Sequence, residues 1–338
     1  MDKTQKRWIY LSLGISAVIL AVMVGSTFNE ETLEYLTHMN IFFLILAIGL
    51  RFLSFTIWAL RIQKMSLSLG YSVPFPHCFN LVVANLLVGA LTPGQAGGEP
   101  VRIHELYKAR MTLGDATAVV IMERVLDAVM LVLLSVVSIL VMGSIIWSLS
   151  SGIIFVIFLS LFLLILFVLL LLYAVRYPDP AKRLVMKFLH WVEIKMKGPS
   201  IQKIISSTDV EFDNFCSGIN AFASHGKAGF IWGAVYTILF WFSEFVVASV
   251  ILMGLGLPPS ISESILAQVI IALVSMIPLT PGASGIAELS AASLYALFVP
   301  TAALGIFILH CRLIMFYLNI VFGFIVTMFI FKREISSE

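Results

Sequence analysis

The stretch "IMERVLDAVM" sets Glu123, Arg124 and Asp127 inside a long apolar run. Glu123 and Asp127 stand at i,i+4 and Arg124 and Asp127 at i,i+3, so on a helix the three share a wedge about 100° wide. Ionised side chains at the centre of a membrane helix cost roughly 2.5–3.5 kcal/mol each on insertion scales, and they mark substrate pathways or proton relays. Three together cannot face lipid. The stripe is either a self-compensated ion-pair clamp between helices or one wall of a wet cleft that recognises charge.

A second group of chemically able residues repeats. "LTPGQAGGEP" (91–100) carries Gly94, Gly97 and Glu99, and "LTPGASGIAE" (279–288) carries Pro281, Gly282, Gly285 and Glu288. Proline cannot continue a helix, and glycine accepts backbone conformations that other residues resist. Non-helical backbone at membrane depth is tolerated only against protein or a water-filled cavity. After the first stretch Glu99–Pro100 opens a short helix, "PVRIHELYKAR", with Arg102 in its first turn. A Gly-rich turn entering a helix offers free N–H donors to an anion, and in a membrane that anion is a phosphate headgroup. In the alternative, Arg102 pairs with Glu99 or Glu105 and only secures the turn. Glu244 in "LFWFSEFVV" and His310 and Arg312 in "ILHCRLIMF" add charge to the second half. His104 and His310 lack a partner pattern such as H-E-x-x-H, and are read as rim or packed histidines.

The elements that position these residues follow from composition. The chain is 60% hydrophobic and 12% charged, against about 45–50% and roughly 25% in soluble domains. Apolar runs of membrane-crossing length recur. The expectation is a single all-α polytopic membrane domain over 1–338, with spans near 9–27, 41–60, 116–146, 152–174, 228–255 and 302–330. The first, with a basic leader and without an A-x-A-like cleavage site, is read as a retained span. Trp8, Trp58 and Trp147 fall near span ends, as an aromatic belt requires. Shorter apolar pieces, 76–91 and 264–278, lead into the two repeated stretches. Residues 175–227 form a polar linker, whose segment 181–197 reads as a basic amphipathic helix on an anionic leaflet.

Charge sets the topology. All but three (Arg51, Arg124, Arg312) of the 21 Lys and Arg fall in the segments around the spans, including Arg61 and Lys64 after the second span and Arg102, Lys108 and Arg110 after the first motif. The positive-inside rule places these segments, and both termini, in the cytoplasm. That partition works only if 76–110 enters and leaves on one side. Residues 286–299 agree, making about 21 Å of helix, too short to cross. Both motifs therefore read as tips of re-entrant hairpins, one from each side. Residues 41–146 and 228–330 form an inverted-topology repeat, the plan of many transporters.

The motifs "PGQAGGEPVRIHEL", "MERVLD" and "LTPGASGIAE" resemble those of the flippase-like membrane proteins related to the transmembrane half of lysylphosphatidylglycerol synthase, a group that includes an uncharacterised membrane-protein family. The likeness covers about 8–330. Gly97, Glu99, Arg102, Glu123, Arg124 and Asp127 match, as do Pro281, Gly282, Gly285 and Glu288; Gly98 is an insertion relative to the commonest form. The resemblance implies lipid translocation: of aminoacylated phosphatidylglycerol in the synthase relatives, of polyprenyl-phosphate carriers in others. It implies no synthesis of lysyl-lipid, because the soluble aminoacyl-transferase half has no counterpart here.

The expected partners are membrane lipids with anionic phosphate headgroups and a separate lipid-synthesising enzyme or glycosyltransferase, not nucleic acid. No Walker motif is present, the scattered Cys78, Cys216 and Cys311 suggest no metal site, and no cofactor is expected. An intramembrane lipid-modifying enzyme using His104 or Glu105, a small-solute secondary transporter and a non-transporting subunit stay open as alternatives.

Overall fold

The computed structural model describes residues 17–92, 97–141, 150–177, 227–276 and 282–335, with isolated residues between them. Among these residues every regular element is helical: α1 (Ala17–Thr27), α2 (Glu30–Thr37), α3 (Ile41–Ser68), α4 (Phe75–Ala90), α5 (Gly98–Lys108), α6 (Leu113–Val141), α7 (Ser151–Arg176), α8 (Lys227–Gly254), α9 (Ile261–Ser275), α10 (Ile286–Tyr295), α11 (Thr301–Arg312) and α12 (Leu318–Ile335). A π-helical turn, Leu313–Tyr317, joins α11 to α12. Five stretches are long and apolar enough to cross a membrane, within α3, α6, α7, α8 and the α11–α12 rod. This is a multi-pass membrane protein. The first expected span begins outside the described residues, and its remainder is α1. Of the 181–197 segment only Lys182–Leu184 and Met186–Lys187 are described.

Two helical hairpins sit among the spans. In α4–α5, His77 at the start of α4 meets the carbonyl of Glu105 near the end of α5 at 2.9 Å. At the other end, a Cβ on Gly98 would lie 2.2 Å from Oδ1 of Asn85. In α9–α10, the Tyr295 hydroxyl at the end of α10 bonds Ser264 and Gln268 on α9, both at 2.9 Å. Each pair is thus antiparallel. At 1.5 Å per residue α10 is about 15 Å long and α9 about 22 Å, short of a ~30 Å hydrocarbon core.

The long helices α3 and α8 are also antiparallel. The Asn40 amide before α3 donates to the carbonyl of Gly254, which ends α8, at 2.8 Å. At their other ends a Cβ on Gly229 would lie 2.1 Å from Oγ of Ser68. Gly229 and Gly233 form a small-xxx-small face, which lets membrane helices approach closely. Each hairpin also packs on a helix distant in the chain: α4 on α12 as well as on α3, and α9 on α6 as well as on α8. Two apolar clusters result, one around α3–α6 and the start of α8, the other around α9–α11 and the inner ends of α6 and α8.

The span limits differ from expectation at one place that matters. α3 runs eight residues past the expected end at 60. Arg61 is therefore not in a loop; it lies inside the helix, fully buried. Trp58 likewise belongs to no interfacial belt, being buried at 7% exposure.

Candidate functional site

An ionic layer lies between the two apolar clusters. Arg61 on α3 is its centre. Its Nε donates to Glu123 at 2.9 Å, its Nη1 to Asp127 at 2.7 Å and to the Thr237 hydroxyl at 3.0 Å. The indole N–H of Trp58 donates to Glu123, and that of Trp241 to Asp127, both at 3.0 Å. Arg102 donates from Nη1 to the other oxygen of Glu123 at 2.7 Å and lies over the Trp58 ring at 5.4 Å. The partner of Arg102 is thus Glu123, not Glu105, while Glu99 stands 4.0 Å away. Glu123, Arg61 and Arg102 are fully buried, and every hydrogen bond just named bridges two different helices. The membrane-embedded part of α3 had to hold a cation because Glu123 and Asp127 face it.

The remaining charges form three pairs. Arg51 on α3 binds Glu244 on α8, which also accepts from Ser54, and its Nη2 donates to Asn319 at 3.0 Å. Arg124 on α6 pairs with Glu99 on α5 at 2.5 Å. Arg312 at the end of α11 donates from Nε to Glu288 on α10 at 2.7 Å. The other oxygen of Glu288 accepts from the Gly285 amide at 2.7 Å, closing the first turn of α10. Glu99–Arg124 and Glu288–Arg312 repeat one relation, an acid just past a hairpin tip held by an arginine of the next long helix. Among the described residues the layer holds five guanidinium groups and five carboxylates.

Three arginines keep donors in reserve. Nε of Arg124, Nη2 of Arg312, and Nε and Nη2 of Arg102 have no hydrogen-bond acceptor, and Oε2 of Glu99 has no donor. Nη2 of Arg312 is only 2.6 Å from Glu288, an ion-pair distance without hydrogen-bond alignment. Buried polar atoms are rarely left so.

The two tips meet. The Gly282 amide donates to the carbonyl of Thr92 at 3.2 Å. Gly282 has φ +57°, and a Cβ there would fall 2.4 Å from Phe316 and 2.7 Å from the Ala90 carbonyl oxygen. Phe316, in the π-helical turn, also lies under the Arg312 guanidinium at 4.7 Å. Beside this junction a cavity of about 250 Å³ opens, many times the 10–15 Å³ or so that one water needs. Arg51, Arg124, Asp127, Glu244, Glu288 and Arg312 reach its wall, with Trp58, Phe240, Trp241 and Phe316 between them.

The expected site residues therefore divide. Arg124, Asp127, Glu244, Gly282, Glu288 and Arg312 line the cavity; Glu99, Arg102 and Glu123 form the network behind it; Gly97 and Gly285 precede α5 and α10. Gly94 and Pro281 lie outside the described residues. Sequence reasoning did not place Arg51, Arg61, Trp58, Trp241 and Asn319 in the site. Of these Arg51 had a signal, a charge inside an apolar span, and so did Arg61, two acids in the next long helix with too few cations to match them. Of the alternative enzyme residues, His104 is exposed, and Glu105 pairs with Lys108 at 3.3 Å.

The model of the lysylphosphatidylglycerol synthase TM region matches residues 9–323. The chain belongs to that family. It is 33% identical over 310 residues to a UPF0104 membrane protein of Archaeoglobus fulgidus, covering 91% of this chain and 93% of that one. A UPF0104 membrane protein of Methanothermobacter thermautotrophicus is 26% identical over 80% of each chain. Another, of Pyrococcus horikoshii, is 24% identical over 98% of this chain and its own full length. For this member of the lysylphosphatidylglycerol synthase TM family, the matched span takes in both hairpin tips, all five arginines and all five acids.

Proposed function

We propose that this protein moves a phosphate-bearing lipid headgroup, of a phospholipid or a polyprenyl phosphate, between the leaflets of the cell membrane. The observation that carries the reading is the meeting of Gly282 with Thr92 beside a cavity walled by arginines from three helices, Arg51, Arg124 and Arg312. Two half-depth hairpins that touch at their tips leave one thin barrier between the two sides. The cavity holds a headgroup, and the acyl chains stay in lipid.

The reading takes the halves 41–146 and 228–330 as inverted repeats, each giving one hairpin and one Glu–Arg pair. The packing of α4 on α12 and of α9 on α6 supports it. A phosphate oxygen takes the unused N–H groups of Arg124 and then those of Arg312. Guanidinium suits phosphate because its planar fork matches the oxygens. Arg102 and the amides past Gly97 hold the first tip and its field. In this reading the chain is a translocator and not an enzyme, it receives its lipid from a separate lipid-synthesising enzyme or glycosyltransferase, and its termini are cytoplasmic.

The test is a leaflet-sidedness assay in proteoliposomes over a panel of fluorescent anionic, zwitterionic and polyprenyl-phosphate lipids. Protein-dependent exchange of at least one phosphate lipid between leaflets is expected. Exchange at the protein-free rate for the whole panel removes the reading.

A further inference from the structure

The balance of five guanidinium groups against five carboxylates constrains what a headgroup brings with it. A phosphodiester is a permanent anion. Added to a neutral layer out of water it leaves one uncompensated negative charge, which a low-dielectric site resists strongly. From this balance, and resting on the proposed headgroup transport, we infer that each anionic headgroup enters with one proton, and that Glu99 carries it.

The geometry selects Glu99. It shares Arg124 with the incoming phosphate, because the guanidinium that holds its Oε1 at 2.5 Å is also the one that reaches the cavity. Phosphate on the free Nε–H of Arg124 shares that cation with Glu99 and weakens its hold on the carboxylate. Its Oε2 already has no donor, so a proton there breaks no hydrogen bond. The other acids are held from more than one direction. Asp127 keeps Arg61 and Trp241, Glu244 keeps Arg51 and Ser54, and Glu288 keeps the Gly285 amide. Glu99 is also the one with access to water, its side chain 29% exposed against 10% or less for the others.

The charged groups around Glu99 are few. Its own helix gives Arg102 at 4.0 Å, and α6 gives Arg124 and, beyond Arg102, Glu123. The other neighbour, α4, has as titratable groups only Cys78 and His77, and the latter is engaged with the Glu105 carbonyl. The charge balance closes. Water supplies H⁺ to the Glu99 carboxylate, the phosphodiester keeps its charge, and the layer stays neutral. Glu288–Arg312 repeats the pair at the second tip, so the exchange runs again there and the proton travels with the headgroup.

The experiment uses the full chain in detergent and dihexanoyl phosphatidylglycerol, a soluble monoanionic diester that cannot itself take up a proton near neutrality. Calorimetry in buffers of different ionisation enthalpy counts the protons bound with it, and the affinity is followed from pH 5 to 8. One proton taken up per lipid is expected, with Kd falling about tenfold per unit as pH drops. In Glu99→Gln both the uptake and the pH slope vanish while the lipid still binds. Binding by the unaltered protein without proton uptake overturns the inference and leaves headgroup recognition standing. No binding of this lipid at any pH overturns the inference too, while the panel assay above decides the transport reading separately.

Discussion

Gly282 and Thr92, far apart in the chain, are joined by one backbone hydrogen bond of 3.2 Å that ties the two hairpin tips together. The contact exists because position 282 has no side chain. A Cβ would collide with the Phe316 ring and with the Ala90 carbonyl, and the backbone there is left-handed. Gly282→Ala is expected to destabilise the protein by about 1–3 kcal/mol and to lower lipid exchange several-fold. Thermal unfolding in detergent and the proteoliposome assay measure the two effects.

Arg124 separates a transport role from a structural one. It reaches the cavity and, among the described residues, its ion-pair partner is Glu99, so its loss leaves the Arg61 network intact. Arg124→Ala should reduce headgroup exchange to the protein-free rate with an unchanged elution profile and unfolding midpoint. Full exchange by the folded variant would remove Arg124 from the site.

Arg61 behaves in the opposite way. Deleting one partner of a buried ion network leaves the others uncompensated, at a cost of about 3–5 kcal/mol. Arg61→Met strands Asp127 while Glu123 keeps Arg102, and is expected to lower the yield of monodisperse protein sharply. Adding Asp127→Asn to that variant should recover stability, because Glu123 and Arg102 still balance and no unpaired charge remains. Unfolding midpoints of the single and double variants decide this.

Topology gives a test independent of lipid identity. Ser68 ends α3, and the nearby Tyr71 hydroxyl donates to Asp115 at the start of α6 at 2.7 Å. Asp115 holds the Tyr71 phenol above its ordinary titration range, so this bond persists at neutral and mildly basic pH. Ser262, at the start of α9, lies at the opposite end of the bundle, beyond the Gly254 end of α8. Single cysteines at Ser68 and Thr112 should label from one side of the membrane, and a cysteine at Ser262 from the other. Labelling of Ser68 and Thr112 from different sides would break the first hairpin as a re-entrant element.

Much of this architecture was legible because the bilayer simplifies the code. Apolar length marks the spans, and the repeated Thr-Pro-Gly stretches mark the breaks between α4 and α5 and between α9 and α10. The basic segments alone required 76–110 to turn back. Partnerships were less readable. Glu123 does meet the hairpin, through Arg102 at 2.7 Å, but it also binds Arg61 on α3, a span taken to end one residue earlier. A fixed span length hid that arginine, since a tilted or thickly packed helix runs longer than the hydrocarbon is wide. Trp58 showed the same error, for a tryptophan near an assumed span end looks interfacial until its N–H finds Glu123. The pairing of Arg51 with Glu244 joins α3 to α8, and no local spacing rule contains it.

The packing of α4 on α12 and of α9 on α6 has a consequence for how the protein is made. α4 leaves the ribosome long before α12, the helix it packs against, and α9 finds its neighbour α6 already in place. The first hairpin therefore has α3 and α6 beside it early, but one of its faces waits for α12 until synthesis is nearly over. Truncation ahead of α12 should leave that face open to lipid, so that even a late nonsense mutation is damaging.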